Sequence, residues 1–152
     1  MQTELNNLNV LSLAYMGDAV WEQFVRERVI KKLPNANHAD YLHREGVKYV
    51  NANAQAYAVK KMIDEGAFSE EEVALIKRAR NHKTATKAKN MDAVTYKWAT
   101  AFETIIGSLY LQGERERLTD IMTRAAELTE EKARLKEKAQ PKDMKKEAPE
   151  KE

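Results

Sequence analysis

Two stretches of the chain each place one acidic residue and one glycine inside an apolar run. One reads LAYMGDAV around Gly17 and Asp18, and the other reads TAFETIIGSLY around Glu103 and Gly107. A carboxylate on an apolar helix face costs free energy unless it is paired or binds a metal ion. Glycine inside a helix costs roughly 1 kcal/mol relative to alanine, so both glycines indicate close approach of another helix. We therefore expect two helices to cross at their glycines and to bring Asp18 close to Glu103.

Two carboxylates are enough to bind Mg²⁺, because this ion often keeps waters and takes phosphate oxygens as further ligands. A bound Mg²⁺ would activate a water and stabilise charge on a phosphate during an in-line displacement. Ala14, one turn before Asp18, would leave space for a water, and the Thr100 hydroxyl, one turn before Glu103, would hold one. Glu22 is either an outer acid of this site or a surface residue. The alternative is that Asp18 and Glu103 are acids on helix surfaces with no shared role.

The elements that would position these acids are all helices, because no segment shows a sustained apolar alternation of period two. Pro34 closes the first helix, and Ser69 with Glu72 forms a capping box. Asp92 caps a later helix, which Gly113 ends. The predicted helices are, in chain order, 8–32, one long or two consecutive helices over 38–65, 69–79, 93–111, and 114 to about 128 or beyond.

A chain of 152 residues is long enough for one domain with a single core. We expect this domain to span residues 1–128. Residues 129–152 alternate Lys and Glu and should form a frayed helix followed by disorder. There is no cysteine, which excludes disulfides and thiolate metal sites. With no secretory leader and no run of 18 apolar residues, the expected location is the cytoplasm, without membrane insertion.

The densest positive charge lies between Lys77 and Lys89, where six basic residues occur without an acid. Such a cluster suits phosphate contacts, and its lack of aromatic residues disfavours base stacking on single strands. Its Asn and Thr side chains suit 2′-hydroxyls and phosphates of a duplex minor groove. The alternative is a solvated loop. The residues expected to contact RNA are Arg78, Arg80, Asn81, Lys83, Lys87 and Lys89.

These stretches resemble the catalytic domain of the ribonuclease III family. The helix around Asp18 is similar to the family's LE(F/Y)LGDA helix, and the helix around Glu103 is similar to its DxFEAxIGALYL helix. Residues 78–83, RARNHK, look like the RGRNAK segment of the short Mini-ribonuclease III family, which lacks a double-stranded RNA-binding domain. The resemblance covers roughly residues 8–125 and implies that Asp18 and Glu103 are catalytic, metal-binding acids. Full-length ribonuclease III carries acids where this chain has Ala14 and Thr100.

The resemblance implies a homodimeric helical bundle that cleaves double-stranded RNA with Mg²⁺, for which Mn²⁺ can substitute. It also implies 23S ribosomal RNA precursor as the substrate and a ribosomal protein as a helper. Tyr15 either fits a pocket on the partner subunit or is a core aromatic residue. Two other functions stay open. One is a catalytically inactive RNA-binding module, motivated by Ala14 and Thr100, and the other is a helical scaffold with no RNA role.

Overall fold

The computed structural model describes residues 8–82 and 92–139. Every regular element within them is an α-helix, which confirms the predicted all-α fold. The six helices are α1 Val10–Lys32, α2 Ala39–Val50, α3 Ala52–Asp64, α4 Glu70–Arg80, α5 Ala93–Leu111 and α6 Arg115–Ala139. In this described part of the chain, no helix is long and apolar enough to cross a membrane.

Side-chain caps begin three of the helices where the sequence predicts them. The Asn9 side chain accepts a hydrogen bond from the Leu11 backbone N–H at 2.9 Å, at the start of α1. Ser69 and the Glu72 side chain form the reciprocal capping box of α4, with bonds of 3.2 and 2.8 Å. At the start of α5, the Asp92 side chain accepts a hydrogen bond from the Val94 backbone N–H at 3.1 Å. These bonds satisfy backbone N–H groups that lack partners inside a helix.

The breaks between helices also follow particular residues. Gly66 and Gly113 have φ angles of +71° and +76°, a left-handed conformation that favours glycine, and each follows a helix end. The segment 38–65 forms two helices, and Asn51 separates them by accepting a hydrogen bond from the Ala54 N–H at 2.9 Å. Gly46 lies within α2.

Helix α5 lies at the centre of the bundle and packs against α1, α3, α4 and α6. The Phe102 ring of α5 meets the edge of Trp21 of α1, with ring centroids 4.9 Å apart. Both side chains are fully buried. The Trp21 indole N–H also donates to the backbone carbonyl of Tyr49 in α2 at 3.3 Å. Apolar burial, the main stabilising contribution to such a fold, therefore fixes the position of α5 relative to α1 and α2.

Helix α6 continues eleven residues beyond the predicted domain boundary at residue 128, and its Glu130 is tied to two other helices. Arg28 of α1 donates two hydrogen bonds to the Glu130 carboxylate, at 2.8 and 2.9 Å. The Tyr49 hydroxyl donates a third at 2.7 Å, and the Lys32 ammonium also contacts this group. The first part of the segment 129–152, predicted to be a frayed helix, is thus helical as far as Ala139 and is bonded to α1 and α2. The part of that segment from residue 140 onward lies outside the described residues.

Candidate metal centre

The crossing of α1 and α5 brings two backbones into direct contact. A Cβ atom placed on Gly17 would overlap the backbone carbonyl of Glu103, and one placed on Gly107 would overlap the carbonyl of Leu13. Only glycine permits this approach at both positions. The prediction that the two helices cross at their glycines is confirmed, and the crossing places Asp18 and Glu103 at the same end of the contact.

Thr104 strengthens the same crossing and was not identified from the sequence. Its hydroxyl is fully buried and lies 2.8 Å from the Thr100 carbonyl in its own helix. The same oxygen lies 3.3 Å from the Val10 carbonyl at the start of α1. A buried hydroxyl needs a partner, and sharing its proton between two helices links them. Threonine inside an apolar helix gives no sequence signal for this long-range contact.

Asp18 is exposed at the surface, whereas Glu103 is half-buried beside it. Burial, and then the negative charge of Asp18, raise the pKa of Glu103 to about 8. Among the described residues, neither carboxylate has a hydrogen bond or an ion pair, so no protein cation offsets their charge. Two like charges held together at a partly desolvated place form a site where a divalent cation is stabilised.

The donor set fits a hard divalent ion such as Mg²⁺, which prefers oxygen ligands. No group of three or more His, Asp or Glu residues suited to a metal lies within residues 8–82 and 92–139. The described residues supply two carboxylates as ligands. Mg²⁺ can bind to two carboxylates when waters and phosphate oxygens provide its other ligands. The residues that would hold the ion are therefore Asp18 and Glu103.

Ala14, Thr100 and Glu22 each lie one helical turn from one of the two acids. Ala14 and Thr100 are both buried, and the Thr100 hydroxyl donates to the Tyr96 carbonyl at 3.1 Å. This proton is used within α5, so a water near Thr100 could only donate to the hydroxyl oxygen. Glu22 forms an ion pair with Arg26, one turn further along α1, at 3.2 Å. This contact agrees with the prediction that Glu22 is a surface residue rather than an outer acid of the site.

Tyr15 lies three residues before Asp18 with 84% of its surface exposed, so the alternative of a core aromatic residue is wrong. Leu11 is also exposed, and its spacing of four residues places it on the same face of α1 as Tyr15, while Leu8 is exposed just before the helix. The first turns of α1 thus present an uncovered apolar face next to the acid pair.

The predicted RNA-contact residues fall partly within the described structure. Arg78 is exposed in the last turn of α4. The Arg80 guanidinium lies over the Trp98 ring, 4.9 Å from its centroid, and donates to the Asn81 side chain at 3.2 Å. The remaining three, Lys83, Lys87 and Lys89, lie outside the described residues.

Comparison with known proteins identifies the class to which this fold and site belong. Residues 11–114 match the Ribonuclease III domain, and this span includes both acids and both crossing glycines. The chain belongs to the ribonuclease III family, whose members depend on a divalent metal ion.

Similar proteins narrow the assignment to one group within the family. The Mini-ribonuclease 3 of Staphylococcus aureus is 41% identical over 82% of this chain and 92% of its own length. That of Clostridium tetani is 42% identical over 84% of this chain and 83% of its own length. A crystal structure of a protein from Fusobacterium nucleatum superimposes with a TM-score of 0.67 at 32% identity, covering 80% of this chain and 93% of that one. The group is therefore Mini-ribonuclease 3.

Proposed function

We propose that this protein is an endoribonuclease that cleaves double-stranded RNA with Mg²⁺ held by Asp18 and Glu103, and that Mn²⁺ can replace Mg²⁺. The observation that carries the proposal is the half-buried Glu103 carboxyl, next to Asp18 and without a cationic partner among the described residues. When bound, the ion supplies an activated water and neutralises charge on the scissile phosphate. The glycine crossing fixes the backbone that carries both acids, so their separation is set before substrate arrives.

The proposed substrate is the duplex part of a 23S ribosomal RNA precursor, and a ribosomal protein is the proposed helper. Membership of the ribonuclease III family supports a double-stranded substrate. Exposed basic residues at the end of α4 support phosphate contacts, which a duplex offers in a regular array. The residues we propose for these contacts are Arg78, Arg80, Asn81, Lys83, Lys87 and Lys89.

We further propose that two copies of the chain pair through the exposed apolar face of α1 around Tyr15. The Tyr15 ring is 84% exposed and lies near the exposed Leu11. Such a ring is typical of an interface, because contact with a partner subunit removes its apolar surface from water. Two paired subunits would each contribute one acid pair, so each would cut one strand. Sedimentation at micromolar concentration should show a dimer, and Tyr15→Ala should shift it towards monomer. An active monomer would contradict this assembly.

Cleavage of a labelled RNA hairpin, with and without EDTA, tests the proposed activity. We expect cleavage with Mg²⁺, none with EDTA, and 5′-phosphate with 3′-hydroxyl ends on the products. Unchanged cleavage in EDTA would contradict a metal-dependent reaction. Single-stranded RNA of the same composition is the control, and it should survive.

The second candidate function is an RNA-binding module without catalysis. Ala14 and Thr100 favour it, because they stand where full-length family members carry acids and neither can supply a carboxylate. A shift of the hairpin in a native gel, without cleavage at any Mg²⁺ or Mn²⁺ concentration, would establish it.

A further inference from the structure

The Trp98 ring of α5 is contacted by two cations that come from different helices. The Lys60 ammonium of α3 is 5.4 Å from the ring centroid, and the Arg80 guanidinium of α4 is 4.9 Å from it. Trp98 is itself half-buried and packs against the core, so its position is fixed. Because Arg80 is the last residue of α4, the indole fixes two positive charges at the place where that helix ends.

Within residues 8–82 and 92–139, neither Lys60 nor Arg80 forms an ion pair. Three arginines that lie in α6 or bind to it differ in this respect. Three acids pair with them, Glu130 with Arg28, Glu72 with Arg117, and Glu65 with Arg124. Among the described residues, no carboxylate therefore neutralises the positive charge at Trp98.

Further exposed cations lie near Trp98 in sequence or at the end of α4. Those without an ion pair in the described structure are Lys77, Arg78 and Lys97. Several positive charges on one surface attract a polyanion more strongly than they attract a single small ion. The chemistry favours a phosphodiester backbone.

We infer that Trp98 is a positioning residue for RNA binding, and that it holds Lys60 and Arg80 as two phosphate contacts on one surface. This inference rests on the proposed function and adds Lys60, which lies outside the basic segment 77–89. A cation stacked on an indole face keeps N–H groups free for a phosphate. Holding a long side chain in place before binding reduces the entropy lost on association.

A purely structural role for the indole makes a different prediction. If the two cations only strengthen the packing of α3, α4 and α5, their loss lowers stability and leaves RNA affinity per folded molecule unchanged. If they contact phosphates, their loss lowers affinity and also its dependence on salt, because fewer counterions are released on binding. Salt dependence therefore separates the two roles.

The experiment measures the dissociation constant of the full-length protein for a labelled RNA duplex in EDTA, over a range of salt concentrations. Lys60→Gln and Arg80→Gln should each weaken binding roughly three- to tenfold. Each should also reduce the slope of log affinity against log salt by about one. Lys132→Gln in α6 is the matched control, because it removes one charge and one cation–ring contact, with Tyr57 of α3 at 4.3 Å.

Variants of Trp98 test the positioning role itself. Trp98→Phe keeps a ring and should retain most of the affinity, whereas Trp98→Met should weaken binding and raise KM while leaving kcat unchanged. In the Lys60→Gln, Arg80→Gln double variant, Trp98→Met should cause little further loss, because the indole acts through those two cations. A full additional loss in that background would overturn the positioning role.

The two exposed cations decide the result even if Trp98→Met fails to fold. If Lys60→Gln and Arg80→Gln bind RNA as tightly as Lys132→Gln and with the same salt slope, the inference is wrong while the proposed nuclease stands. If the unaltered protein neither binds nor cleaves duplex RNA, the proposed function fails and the inference fails with it.

Discussion

Glu103 and Glu130 are both partly withdrawn from water between helices, yet their pKa values move in opposite directions. Burial and the neighbouring Asp18 raise the pKa of Glu103 to about 8. Burial would also raise the pKa of Glu130, but hydrogen bonds from Arg28, Lys32 and Tyr49 outweigh it and hold this pKa at about 2. Each carboxylate lies in a helix that contacts α1. The difference lies in the partners as well as in burial, which is the larger cause of the shift at Glu103.

This contrast separates a carboxylate that stabilises the fold from one that costs stability. Glu130 has its negative charge matched by protein donors, so it joins α1, α2 and α6. Glu103 has a like charge beside it and no donor among the described residues. A chain that keeps an unmatched acid in a half-buried place accepts a cost that a cation can remove. This cost supports our proposal that the metal ion binds at Glu103.

The largest expected effect is on cleavage, and it should distinguish the two glutamates completely. Glu103→Gln and Asp18→Asn should each reduce the cleavage rate by more than about 100-fold. Roughly 100-fold is the loss expected when a metal site loses only a residue that supports its ligands, and these two variants lose a ligand itself. Each change removes a ligand charge and keeps the side-chain shape. Glu130→Gln should leave the rate per folded molecule unchanged. Cleavage rates at saturating Mg²⁺ check this, and a near-normal rate for either site variant would remove that residue from the metal centre.

The effect on folding stability should be smaller and should have the reverse order. Glu130→Gln should lower the free energy of unfolding by about 1–3 kcal/mol, because Arg28 and Tyr49 lose a charged hydrogen-bond acceptor. Glu103→Gln should raise stability at pH 8 without metal, because it removes a carboxylate that folding desolvates. Urea unfolding measures both changes. Glu27→Gln, which removes an exposed ion pair with Lys31, is the control and should leave the midpoint unchanged.

Folding stability should also depend on pH through both glutamates. The folded pKa of Glu103, about 8, lies above its ordinary 4.5, so this group lowers stability as pH rises from 4.5 to 8. The folded pKa of Glu130, about 2, lies below 4.5, so its contribution is present above pH 4.5 and is lost as pH falls to 2. Difference unfolding curves of the wild type against Glu103→Gln and Glu130→Gln should show these two windows separately.

The same titration tests the causes of the shift at Glu103. Asp18→Asn should lower the pKa of Glu103 only part of the way to 4.5, because burial is the larger cause and Asp18 the smaller. NMR of the Glu103 side-chain carboxyl carbon would follow the change. An unaltered pKa in this variant would show that the two acids do not interact.

Local signals predicted most of the helix boundaries. Asp92 and Gly113 delimit α5, and the structure has this helix at Ala93–Leu111, as predicted from those two residues. The acid pair was also predictable, because a glycine and an acid in an apolar helix are unfavourable unless another helix approaches. Such features need no knowledge of the rest of the fold.

Contacts between distant residues account for what the sequence did not predict. The charged composition after residue 128 suggests a solvated segment. In the structure, however, the Glu130 carboxylate accepts hydrogen bonds from Arg28, which is 102 positions earlier in the chain. Trp98 gives no periodic signal that would connect it with Lys60 and Arg80. In each case one side chain meets partners from two other helices, and no local pattern encodes that meeting.

The glycine crossing brings α1 and α5 together by direct backbone contact at the proposed metal centre. At Gly17 and Gly107 the two main chains touch directly, so no side chain acts as a spacer at the crossing itself. Exchanging core residues such as Met62 or Ile76 for others of similar volume therefore alters packing density without changing the distance between the acids. A more heat-resistant nuclease should therefore be obtainable by changing core positions of α3, α4 and α6, with the α1–α5 crossing and the cations Lys60, Arg78 and Arg80 kept unchanged.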